Sequence, residues 1–88
     1  MEIKPTIREV KVILNSMGVE LPTSWYNDIR VIGGRIKASG LELKQPQMRR
    51  LENTLSILFP RLTFSVYIHL HARCGNWVST CIKWKTAE

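Results

Sequence analysis

Eighty-eight residues make one domain, spanning 1–88, with a thin core, because a chain this short buries only about two-thirds of its unfolded surface. A hydrophobic fraction of 44% argues against disorder, and no apolar run approaches the roughly 20 residues that cross a bilayer. Thirteen Lys and Arg against seven Asp and Glu give a net charge of +6, which points to a polyanionic partner: nucleic acid, anionic lipid or an acidic protein surface.

The lead-in, Met1 to Pro5, lacks the apolar core of a signal peptide, so a cytoplasmic location is the default expectation. Two cysteines do not make a disulfide scaffold.

Thr6-Ile7-Arg8-Glu9 is a capping-box pattern, in which Thr6 and Glu9 each satisfy the other's backbone amide. Ile7, Val10, Ile13, Leu14 and Met17 follow at helical spacing, and Gly18 suits the left-handed residue that closes a helix. The pattern predicts an amphipathic helix over Thr6 to Met17. Its outer face, with Arg8, Lys11 and Asn15, reads as solvated.

Val19 to Asp28 resists assignment, because Pro22 argues against continuous regular structure. Trp25 and Tyr26 are expected to lid one edge of the core. The alternative is a contact patch for a partner protein, where aromatics are enriched.

Ile29 to Ile32, Gly33-Gly34 and Arg35 to Ser39 read as a hairpin with a tight two-glycine turn. Pairing across that turn sets Val31 opposite Ile36 and Ile29 opposite Ala38. It also sets Arg30 opposite Lys37 and Ile32 opposite Arg35. Gly40 ends the strand and 41–44 is a connector. Gln45-Pro46 opens a second helix, since proline at the first helical position loses no needed bond. Met48, Leu51, Leu55 and Leu58 form its expected buried stripe, and Pro60 stops it.

From Arg61 to Cys74 polar and apolar residues alternate without a break. Leu62, Phe64, Val66, Ile68, Leu70, Ala72 and Cys74 share one face of a strand, and Arg61, Thr63, Ser65, Tyr67, His69, His71 and Arg73 share the other. A second β-rich run, Val78 to Thr86, returns. A three-residue loop, Gly75-Asn76-Trp77, keeps the inner face apolar by pairing Cys74 with Val78, Ala72 with Thr80, Leu70 with Ile82 and Ile68 with Trp84. A two-residue loop would put Lys83 opposite Ile68.

The expected fold is an α+β two-layer sandwich of order αββαββ: a four-stranded, mostly antiparallel sheet with both helices on one face. This order is a circular permutation of the ferredoxin-like split βαβ arrangement. The first long strand, longer than most, is expected to overhang its partner and offer an edge or face to a second copy of the chain.

The helix-free face is expected to carry Arg30, Arg35, Lys37, Tyr67, His69, His71, Arg73, Lys83 and Lys85. Phosphates are met by Lys and Arg, and bases stack on aromatics, so this face is the candidate nucleic-acid site. The alternative is a small inhibitor or interaction module docking on an acidic protein through Trp25, Tyr26 and Trp77. Two further readings rank lower. His69 and His71 beside Tyr67 and Lys83 are general acid–base types, but no carboxylate of the long hairpin orients them. His69, His71, Cys74 and Cys81 are metal-ligand types at a spacing that matches no closed site. No cofactor is expected, and the pattern leans away from an enzyme.

Overall fold

The structure, a computed structural model, describes residues 4–29, 33–71 and 77–86, with the side chains of 27–29 and 71 outside that description. Chain order is α1 (Ile7–Ser16), β1 (Ser24–Ile29), β2 (Gly33–Ser39), α2 (Gln45–Leu58), β3 (Leu62–His71) and β4 (Trp77–Thr86). The strands form one sheet in the order β1-β2-β4-β3, with every neighbouring pair antiparallel.

Helix α1 is built as its sequence dictates. The Glu9 amide donates to Thr6 Oγ1 at 3.3 Å, and the Thr6 amide donates to Glu9 Oε1 at 3.1 Å. Val10, Ile13 and Leu14 are buried, and Gly18 closes the helix at φ 76°.

In α2 the backbone N–H of Lys44, just before the first turn, donates to Gln47 Oε1 at 2.8 Å. Leu51 and Leu55 are fully buried and Met48 packs beside them. Leu58 departs from the expected stripe and is exposed. The chain leaves the helix at the next residue, and Phe59 turns inward in its place, its ring 6.1 Å from that of Phe64.

One core takes side chains from both helices and from one face of the sheet: Ile36 and Ala38 of β2, Leu62 and Phe64 of β3, Ile82 and Trp84 of β4. Because these strand residues share one face, both helices cover the same side. Leu41 and Leu43, in the stretch read as a plain connector, also belong to this core. Among the described residues no helix is long and apolar enough to cross a membrane.

Both hairpins differ in register from expectation. In the long one Phe64 faces Trp84, Val66 faces Ile82, Ile68 faces Thr80 and Leu70 faces Val78. The expected register would have set Phe64 against Glu88 and left Leu62 without a partner. The observed one brings Phe64 beside Trp84, with ring centroids 6.5 Å apart and planes tilted by 44°, in the core under the helices. Trp77 therefore opens β4 and is not part of the turn. Among the described residues every residue of β3 has a partner on β4, so no overhang is seen there. The shift is an even number of residues, so each side chain keeps its face. Ala72, Arg73, Cys74, Gly75 and Asn76 lie outside the described residues.

In the first hairpin β1 begins at Ser24, inside the stretch that resisted assignment. Tyr26 faces Lys37, Asn27 faces Ile36, Asp28 faces Arg35 and Ile29 faces Gly34. The two glycines are not a turn. Gly33 pairs with Lys85 and Gly34 with Trp84 within the sheet. A Cβ on Gly33 would collide with the Trp84 carbonyl oxygen and lie 3.2 Å from Lys85 Cα, so the glycine serves a close backbone approach. Arg30, Val31 and Ile32 lie outside the described residues.

Candidate nucleic-acid interface

Register and alternation together lay out the helix-free face as rows running across the strands. One row is Arg35, Lys83 and Ser65 on β2, β4 and β3. The next, two residues along, crosses all four strands as Tyr26, Lys37, Cys81 and Tyr67. Beyond it lie Ser24, Ser39, Ser79 and His69. On the other side of the Arg35 row, Lys85 adds a further cation.

Arg35, Lys83, Lys85 and His69 are exposed, while Lys37 and Tyr67 are half-buried. Six of the nine expected residues thus come together on one face. His71 enters only through its backbone register with Trp77, and Arg30 and Arg73 lie outside the described residues.

Sequence reasoning assigned the aromatics incompletely. Trp25 and Tyr26 are adjacent in β1 and so point to opposite faces. Trp25 packs against the core, its Nε1 donating to the Pro22 carbonyl at 2.8 Å, with Lys11 Nζ 5.5 Å from the ring centroid. Tyr26 is 50% exposed, and Lys37 Nζ lies 5.6 Å from its ring centroid. The signal for Tyr26 was the alternation itself, hidden because β1 was not recognised as a strand. Trp77, half-buried, shares the face at the start of β4. Trp84 is core. With Trp25 and Trp84 committed to packing, the expected docking patch keeps, among the described residues, Trp77 on β4 and Tyr26 two strands away on β1.

The floor of the face is unusual for a sheet surface in water. Ser79 is 0% and Cys81 2% exposed, although both lie on the side away from the helices. Both are small residues on a central strand, Cys81 between the larger Lys37 and Tyr67 and Ser79 between Ser39 and His69. Burial pushes the Cys81 thiol up from its ordinary value, while the charges of Arg35 and Lys37 and a hydrogen bond with Tyr67 act in the opposite direction. A buried neutral thiol is a poor nucleophile. Among the described residues no three His, Cys, Asp or Glu side chains group as a metal site, and Cys74 lies outside them.

The face therefore offers fixed positive charge, two tyrosine rings and hydroxyl groups. No family model, curated protein or solved structure matches this chain.

Proposed function

We propose that this chain is a small basic nucleic-acid-binding protein, regulatory or accessory in role, that neutralises phosphates with Arg35, Lys37, Lys83 and Lys85 on the helix-free face of its sheet. The observation that carries the reading is the pairing of Arg35 with Lys83, register partners that are both exposed. Like charges directly opposite each other destabilise a sheet by a few tenths to about 1 kcal/mol. A phosphate between them relieves that repulsion, and Lys85 and Lys37 flank the same spot. Asp28 holds the register position on the other side of Arg35, so the cationic patch is centred on β4 rather than β1.

The fold that accompanies this reading is a circularly permuted ferredoxin-like domain, which the strand order β1-β2-β4-β3 supports. Such a sheet has one face free of helices for a ligand or a second copy of the chain. The expected setting is the cytoplasm, where nucleic acid is at hand.

The test is a fluorescence-anisotropy titration of labelled oligonucleotides repeated across salt concentration. Four phosphate contacts give a log–log slope of roughly −3 to −4. Lys83→Ala with Lys85→Ala is expected to make that slope shallower by about 1.5 to 2. Absence of binding at low salt would reject the reading and turn attention to an acidic protein docking on the same cations.

A further inference from the structure

We infer that the face takes single-stranded rather than duplex nucleic acid, with Tyr26 and Tyr67 as the two platforms on which its bases stack; this deepens the proposed function and rests on it.

Tyr26, Lys37, Cys81 and Tyr67 form one row across the sheet. These residues are successive register partners across all four strands, so the two tyrosines stand at opposite ends of one line. Three inter-strand spacings separate them, roughly 14 Å at about 4.8 Å each. Between them Cys81 and the adjacent Ser79 are almost fully buried, covered by their neighbours' side chains. The face thus carries one aromatic ring on each edge strand, β1 and β3.

The cations lie in the middle of the sheet. Lys83 and Lys85 stand on central strand β4 and Arg35 on central strand β2. This placement decides against an undistorted duplex. A two-stranded ribbon enters a major groove about 12 Å wide, but a four-stranded sheet, broader than the roughly 14 Å between its outer strands, does not. Central cations on a flat face would touch one phosphate ridge of a duplex, leaving both tyrosines unused, because paired bases are already stacked on each other. A single strand has no such constraint. Its backbone follows the cationic rows and its splayed bases reach the rings, a mode that tolerates many sequences because every base has a π-face.

The experiment compares a labelled 12-nucleotide single strand with its duplex at one salt concentration, using the full chain. Wild type is expected to bind the single strand at least tenfold more tightly. Tyr26→Leu and Tyr67→Leu should each weaken single-strand binding about 5- to 100-fold, while Tyr26→Phe and Tyr67→Phe stay within about threefold of wild type. As a check that needs no variant, 5-iodouracil in the single strand should photo-crosslink to Tyr26 or Tyr67 of the wild type. Equal or tighter duplex binding, with the leucine variants silent and Lys83→Ala weakening, would overturn the strandedness and leave the nucleic-acid reading standing. Binding of neither form at low salt would overturn both.

Discussion

The carboxylate of Glu52 on α2 accepts the backbone N–H of Val66 on β3 at 3.1 Å, across fourteen residues of sequence. Strand β3 is an edge of the sheet, and Val66 is a residue whose amide points away from β4. Exposed strand edges are templates for pairing with another chain, and a covering group at the edge opposes this. Glu52 does so from the helix packed on that strand. Glu52→Ala is expected to destabilise the fold by about 1 to 2 kcal/mol, toward the lower range for a charged hydrogen bond because water can reach the freed amide. It should also raise self-association, measured by sedimentation over a range of concentrations. Glu52→Gln, which keeps an acceptor, should remain near wild type in both. A monomeric, fully stable alanine variant would remove the carboxylate from any role at the edge.

Thr80 sits on the core side of β4 at 1% exposure, where a polar side chain needs a partner. Its hydroxyl donates to the Leu41 carbonyl at 2.8 Å, tying β4 to the segment that follows β2. Thr80→Val keeps the shape and removes the donor, leaving a buried carbonyl short of a bond. Chemical denaturation should show a loss of about 1 to 3 kcal/mol. Thr80→Ser, which keeps the hydroxyl, should lose less.

Helices and faces were legible in the sequence, and registers were not. The reason is physical. A capping box at Thr6 and a proline stop at Pro60 are local signals, satisfied within one turn of chain. Alternation in β3 assigns each residue to a face, and that assignment survives any even shift. It cannot choose between Leu70 facing Ile82 and Leu70 facing Val78, since both keep the core apolar. What chooses is the meeting of Phe64, Trp84 and Phe59 under the helices, which depends on contacts distant in sequence. Six cations and polar residues of the face were therefore found from parity alone. Tyr26 was read as a core lid or a partner contact rather than as part of this face, because its strand, following Pro22, was not recognised.

Gly33 carries the sharpest lesson about glycine. Read as half of a turn, it would need a positive φ. Placed within β2, it needs only the absence of a Cβ, because the Trp84 carbonyl oxygen occupies that space. Gly33→Ala is expected to cost about 1 to 3 kcal/mol, the range for forcing atoms into a packed site. Gly40→Ala should cost about 1 to 2 kcal/mol for a different reason: Gly40 has φ 83°, where a Cβ is strained, and open space around it. Gly40→Asn should recover part of that loss, since asparagine tolerates the left-handed region, whereas Gly33→Asn should be worse than Gly33→Ala. Thermal unfolding of the four variants separates the two mechanisms.

Cys81 makes stability depend on alkaline pH. Burial raises its pKa in the folded chain, so the thiol holds its proton there to higher pH than in the unfolded chain. The stability linked to this difference is fully present below the unfolded value, about 8.5, and is lost as pH rises through the folded one. Between those points the unfolded state releases a proton that the folded state keeps, so unfolding gains. Arg35 and Lys37 limit the effect by favouring the thiolate. Tyrosine and lysine side chains also titrate in this range, so the contribution of Cys81 is read as a difference. Wild type and Cys81→Ala should lose stability differently between about pH 8 and pH 10, with the steeper decline in wild type. Parallel curves would show that the thiol titrates alike in both states. If phosphates occupy Arg35 and Lys37, a bound oligonucleotide masks the cations that favour the thiolate, and the wild-type decline should move to still higher pH.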